Sequence, residues 1–402
     1  MSLQAWAEKL CRATAPRDIV ELHAQDAIAA SLAGRRTRDG AALEALYRDR
    51  GELTASIAAA AIARASESDD IHLASCVTPG SAVTFVAVTF AKGDAAKKAS
   101  AMAAGYAAGI TLGLAIGGAR ALANGVWPTL LAAPLMAAVA ASITRGHDAK
   151  ILGPAMALAL AGSNGKAGRP AGEPSGRWFL FAEAVARGVA ASDAAAQGFR
   201  GDPDLLSKSW LSAQAGHDGI DMDVFEAPLP SMSEVEFKPF AIARQGLNAV
   251  TAFQRVLKNG VDPKRIESID VSVPAMNVAL LTRPVTGEDR LSRLCNMGFQ
   301  LACAAFAPEC LYDPDRVATP SLLEFAKRVT VAAAKDLETY LPHHWAARVV
   351  VKAGQQSFTE VLIRNEFDSN APDFAARLQD KWNRMLPEMN DAITSAGLKV
   401  WR

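Results

Sequence analysis

Residues 94–144 read DAAKKASAMAAGYAAGITLGLAIGGARALANGVWPTLLAAPLMAAVAASIT. Within them, 101–118 carries no charge and approaches the length of a membrane span, and 129–143 is a second apolar run interrupted by Pro134. Alanine and glycine dominate both runs, and such small side chains contribute little free energy of transfer into lipid. The stretch therefore reads as buried helices of a bundle whose backbones approach closely, not as membrane spans. The same texture extends outward. Helices are predicted over 2–13, 16–33, 40–47, 53–65, 81–90, 94–118, 128–144, 149–161 and 176–197, with Gly, Pro, Asp and Asn as stop signals between them. Residues 163–175 (SNGKAGRPAGEPS) interrupt two apolar helices and read as a loop.

Past Pro228 the pattern changes. Residues 266–273 (IESIDVSV) alternate with a period near two, as a strand does. Residues 346–352 and 357–363 form a strand pair around AGQQ, a hairpin turn containing glycine. Helices are expected over 246–259, 290–306, 321–335 and 373–385. The fold class is thus mostly α: a large all-helical domain over 1–239, completed by about 378–402, and a smaller α+β lid domain over 240–377.

The whole-chain numbers fit this reading. A length of 402 residues suits two domains. Lysine plus arginine (42) balances aspartate plus glutamate (42), which argues against nucleic acid or an anionic membrane as partner. Five cysteines, an odd number with no CxxC pair, fit a reducing compartment, and the first 18 residues lack the order of a signal peptide, so a cytoplasmic location is expected. No Gly-rich phosphate loop follows a strand and no His or Cys cluster appears, so neither a metal nor an organic cofactor is expected.

Five collinear segments carry a resemblance: DDIHLASCVTPG (69–80), GYAAGITLGLAIG (105–117), GVWPTLLAAPLMAAVAA (125–141), ARGVAASDAAAQGFRGDPDLL (186–206) and FKPFAIAR (237–244). In order and spacing they resemble the MmgE/PrpD family, which contains 2-methylcitrate dehydratase, cis-aconitate decarboxylase and iminodisuccinate epimerase. The resemblance implies a helical domain joined to an α+β lid, an active site in the cleft between them, and a homodimer built by the helical part. It also implies chemistry that moves a proton next to a carboxylate, with loss of water or carbon dioxide or with reprotonation. Such a site needs a general acid, a general base and cations for the substrate carboxylates.

Carried over position by position, the resemblance nominates Asp70, His72, Thr78 and Lys238 as catalytic, and Asp69, Trp127, Arg177, Arg244, Gln245 and Asn248 as substrate-binding. The chain departs from the family pattern at several of them. Glu67 stands where the leading acid is expected, Ile71 at a threonine, and Thr78 and Trp127 at histidines. Arg177 replaces a lysine, Leu180 a histidine, and Leu301 a tyrosine used by some members. Of the six histidines, only His72 lies in a matching motif.

Each candidate also has a plainer reading. The acids before His72 cap a helix, and its imidazole satisfies a backbone carbonyl. Cys76 is a small buried filler. Lys238 forms a salt bridge at the domain junction. Arg177 solvates the end of the apolar helix it opens, although a cation there opposes the helix dipole and so hints at an anionic partner. Two functions follow: a cofactor-independent lyase or isomerase acting on a small carboxylate or related metabolite, with a substrate or reaction unlike the named relatives, or a non-catalytic binding or assembly protein that keeps the fold.

Overall fold

A computed structural model describes residues 2–48, 50–168, 174–286, 289–365, 367 and 371–387. The chain divides into two compact units, one of 1–170, 174–237 and 386–402, the other of 171–173 and 238–385. Part of the 163–175 loop (169–173) and most of the expected C-terminal completion (388–402) lie outside the described residues.

The first unit is helical throughout. Its helices are α1 (Leu3–Leu10), α2 (Arg17–Gly34), α3 (Arg38–Tyr47), α4 (Glu52–Ala65), α5 (Pro79–Ala91), α6 (Ala95–Ala115), α7 (Ala119–Ala123), α8 (Pro128–Thr144), α9 (Ala149–Ala161), α10 (Gly176–Ala196) and α11 (Lys208–Ala215). Starts are set by local chemistry. The Asp94 side chain accepts from the Lys97 N–H at the head of α6, and Pro79 and Pro128 occupy the first helical positions of α5 and α8, where a missing N–H costs nothing. Helix α8 is buried along nearly its whole length and packs between α6 and α10.

Glycine makes that packing possible. A Cβ at Gly188 of α10 would overlap the carbonyl oxygen of Pro134 in α8, and one at Gly109 of α6 would overlap the Met136 side chain of α8. Among the described residues, no helix is long and apolar enough to cross a membrane.

The second unit holds a four-stranded sheet built from β1 (Ile266–Val273), β2 (Val329–Ala333), β3 (Ala347–Ala353) and β4 (Gln356–Leu362), in the order β2-β1-β3-β4. Strand β1 pairs parallel with β2 and antiparallel with β3, and β3 and β4 form the hairpin. The helices of this unit are α12 (Arg244–Lys258), α13 (Ala275–Leu281), α14 (Arg290–Cys295), α15 (Met297–Phe306), α16 (Pro320–Ala326) and α17 (Phe374–Met385). Helix α12 packs on β3 and β4 through an apolar face that includes Leu247, Val250 and Phe253.

Three expectations are corrected. The helix expected over 321–335 ends at Ala326, and the β-branched run from Val329 pairs with Ile269–Val273 as a strand, tertiary pairing overriding the helical appearance of the alanines that follow. The helix expected over 290–306 is broken at Asn296, whose side chain accepts from the Phe299 N–H at 2.8 Å and so starts α15 afresh. Helix α17, expected from residue 378 on to complete the helical domain, belongs to the second unit. There Arg384 lies over the Tyr312 ring at 5.1 Å and pairs with Glu309 at 3.2 Å.

Candidate functional site

In the helical unit the nominated residues fall at helix starts. Thr78 is the N-cap of α5, Trp127 the N-cap of α8, and Arg177 lies in the first turn of α10. The starts of α5 and α8 are tied together: the Thr78 N–H and hydroxyl both donate to Thr129 Oγ1, at 3.1 and 3.2 Å, and that hydroxyl donates to the Cys76 carbonyl at 3.3 Å. Neither N-cap side chain caps its own helix, and at the start of α5 the Gly80 N–H donates to the Asp70 carboxylate instead.

An aromatic and cationic cluster adjoins them. The Arg177 guanidinium lies 4.3 Å from the centroid of the Trp127 ring and 4.8 Å from that of Trp178. Arg64 lies 5.8 and 5.7 Å from the same two rings, which meet edge to face at 5.9 Å. Trp127 and Arg177 are half-buried, whereas Arg64 is buried and pairs with Glu67 at 2.8 Å and with Asp69. Burial acts to lower the Arg64 pKa, but the Asp69 and Glu67 carboxylates outweigh it and hold the group above its usual range. The structure thus brings Asp69, Trp127 and Arg177 together through Arg64 and Trp178, two residues the motif comparison missed. A single arginine at the end of the alanine-rich run ASIAAAAIARA was the available signal.

Asp70 sits in a different setting. It is buried, accepts from the Gly80 N–H at 2.9 Å and from the Tyr106 hydroxyl at 2.7 Å, and lies 2.8 Å from His23 Nδ1. His23 Nε2 is 3.2 Å from the Met232 carbonyl, and the ring stacks on Phe237 with centroids 4.2 Å apart. Each ring nitrogen thus lies within hydrogen-bond reach of an oxygen, which fixes the ring between Asp70 and the Met232 carbonyl. Burial, then the Asp70 charge, raises the Tyr106 pKa far enough to keep the phenol a donor. His23 and Tyr106 come from helices far away in sequence and belong to no motif. A cavity of about 330 Å³ lined in part by Lys9, Arg12 and Met232 adjoins this network.

His72 occupies a tight loop. Its N–H donates to the Val77 carbonyl at 2.8 Å, which sets the ring beside the start of α5. The Ser75 N–H donates to His72 Nδ1 at 3.3 Å, and Ser75 Oγ is 2.9 Å from the same nitrogen. Nδ1 is therefore an acceptor, and the neutral ring carries its proton on Nε2. Cys76 closes the loop with φ at +55°, and burial pushes its thiol up to about 12, which leaves no thiolate at neutral pH.

The other nominated residues belong to the second unit. Lys238 and Arg244 are buried and Gln245 is half-buried. Arg244 Nη1 donates to Asn248 Oδ1 at 3.4 Å, and Asn248 Nδ2 donates to the carbonyls of Trp345 (3.0 Å), Ile363 (3.1 Å) and Leu362 (3.4 Å). Asn248 thus fastens α12 to the ends of β3 and β4. Arg316, which no motif marked, is buried and donates to Gln300 Oε1 at 2.7 Å, to the Asp313 carbonyl at 3.0 Å and to the Ala241 carbonyl, bracing the segment that leads into α12. Among the described residues, no group of three His, Cys, Asp or Glu side chains is placed to hold a metal ion.

These features define a two-unit, mostly α protein whose helical unit gathers arginine and tryptophan side chains at joined helix starts. Residues 240–395 match the family model for the MmgE/PrpD C-terminal domain. That match, over less than half of the chain, supports membership in the MmgE/PrpD family, whose members are generally lyase- and dehydratase-like enzymes. No curated protein matches the chain.

Proposed function

We propose that the protein is a cofactor-independent lyase or isomerase that moves a proton next to a carboxylate of a small metabolite. The observation that carries the proposal is the half-buried Trp127 and Arg177 cluster at the joined starts of α5 and α8. Helix N-termini favour negative charge, and Arg177 adds a cation at the head of α10 where the helix dipole alone disfavours one. Arg177, Trp127 and Asp69 bind substrate in this reading. His72 is the proton carrier, acting through Nε2 because Ser75 occupies Nδ1, and Thr78 assists. Asp70 serves as a positioning residue, since its oxygens already meet Gly80, Tyr106 and His23. Trp127, at a position where the resemblance expects an imidazole, makes the substrate or reaction differ from those of the named relatives.

A second reading, a non-catalytic binding protein, is favoured by one observation: Glu67 and Asp69 both pair with Arg64, which removes two acids from proton transfer. The two readings separate in one experiment. Deuterium exchange next to the carboxylate is followed by NMR over a panel of small di- and tricarboxylates, with binding measured alongside. His72→Asn is expected to slow exchange by about 100-fold or more with little change in Kd. Arg177→Ala is expected to weaken binding by about 30-fold, the equivalent of ~2 kcal/mol. Binding without exchange in the unsubstituted protein selects the second reading, and full exchange in His72→Asn removes His72 from the mechanism.

A further inference from the structure

The cavity of about 330 Å³ in the helical unit is walled on one side by residues 229–232, and the local chemistry explains why it stays open. The chain before this wall is tied down by Lys9, whose Nζ donates to the carbonyls of Phe225 (3.1 Å), Glu226 (2.9 Å) and Ala227 (2.9 Å). The far end of the wall is held at the Met232 carbonyl, 3.2 Å from His23 Nε2. Between these anchors residues 228–231 read PLPS, and the two prolines fix φ and stiffen the span. Another wall is α6, which contributes Ala103 and Ala107, four residues apart and so on one face of the helix. Their methyl groups are too small to fill the space.

The charge on the lining has one sign. Lys9 and Arg12 line the cavity and no acidic side chain does. The protons of Lys9 go to neutral carbonyls, and among the described residues its charge meets no carboxylate at ion-pair distance. Among the same residues the Arg12 guanidinium and the Thr14 hydroxyl, both on the lining, make no hydrogen bond or ion pair. Arg12 thus has donors to give, whereas Lys9 contributes its field alone.

We infer that this cavity is a binding site for a small phosphate monoester. Its phosphate lies against Arg12 and Thr14, and its carbon chain against Ala103, Ala107 and Met232. A phosphate monoester carries a charge of about −1.5 to −2 at neutral pH, which two cations without carboxylate partners match. The guanidinium fork fits two phosphate oxygens at once. A carboxylate brings a single charge, and a neutral ligand leaves both cations unmet. A bare phosphate ion leaves the alanine wall uncovered, whereas an ester's short apolar chain covers it. None of the lining residues belongs to the Trp127 and Arg177 cluster, so the inference stands apart from the function proposed above.

Calorimetric titration of the full chain at low salt with propyl phosphate, inorganic phosphate and butyrate tests it. Propyl phosphate is expected to bind with a Kd below about 1 mM and at least about tenfold more tightly than either of the other two. Arg12→Met, at an exposed position, is expected to leave Tm unchanged and to weaken propyl phosphate binding by about tenfold or more. Ala103→Leu, which fills the cavity from its wall, is expected to abolish binding; if that variant does not fold, Arg12→Met decides. A Kd for propyl phosphate above about 1 mM overturns the site, as does full affinity in Arg12→Met. Equal affinity for inorganic phosphate means an adventitious ion only, and equal or tighter binding of butyrate means that a carboxylate suffices; either result overturns the assignment.

Discussion

Both units bury arginine side chains, and two of these, Arg64 and Arg316, are treated in opposite ways. Arg64 of the helical unit faces two carboxylates, Glu67 and Asp69, whose charges outweigh burial and hold its pKa above the usual range. Arg316 of the second unit faces carbonyls and the Gln300 amide, so burial dominates and brings its pKa down to about 10. The difference teaches that one guanidinium serves two structural purposes. In a bundle of alanine-rich helices, where backbone groups are already paired within helices, a buried cation finds partners among side chains. In an irregular segment such as 238–243 or 307–316, unpaired carbonyls are available and the cation organises backbone instead.

The largest expected effect tests the first half of that contrast. Arg64→Met leaves Glu67 and Asp69 buried without their cation and is expected to destabilise the protein by about 3–5 kcal/mol in urea unfolding. A loss below about 1 kcal/mol would mean that other groups neutralise the two acids, and the contrast with Arg316 would fail.

How much of this was legible in the sequence follows from the range of the interactions. Helices α8 and α9 and strand β1 have the expected bounds because their signals are local: Pro128 at a first helical position, Asp148 as a cap, and a period near two in 266–273. Strand β2 was not legible, since Val329–Ala333 becomes a strand only by pairing with β1, some sixty residues earlier. The same holds for the candidate site. Asp69, Trp127 and Arg177 were found through short motifs, and the structure gathers them. Arg64, His23 and Tyr106 act through side-chain contacts across helices, which a motif does not record. Arg316 was the least legible, because its partners are backbone carbonyls that any residue can supply.

A smaller effect tests the second half of the contrast. Arg316→Met removes a cation that burial already disfavours, but takes their donor from the Ala241 carbonyl and Gln300 Oε1. The two changes oppose each other, and a net loss of about 1–3 kcal/mol is expected, less than for Arg64→Met. The same urea series measures both. A cost for Arg316→Met equal to or above that for Arg64→Met would show that backbone organisation in the second unit matters as much as buried carboxylates do in the first.

The smallest effect concerns a property on which the units agree. Burial pushes the thiols of Cys76, in the helical unit, and Cys303, in α15 of the second, each up to about 12 from an ordinary value near 9. A raised folded-state pKa means that the native protein keeps a proton which the unfolded chain releases above pH 9. Each thiol therefore contributes stability that is fully present below pH 9 and is lost as the pH rises toward 12, at about 1.4 kcal/mol per pH unit. Cys76→Ala and Cys303→Ala are each expected to flatten the fall of unfolding free energy between pH 9 and 10.5 by about that slope. The Arg316 charge pulls the Cys303 thiol partly back down, so Arg316→Met should carry its loss to higher pH while leaving the Cys76 contribution where it is. A slope unchanged by Cys76→Ala would mean that this thiol ionises in the native protein, and Cys76 would then return as a candidate for proton transfer beside His72.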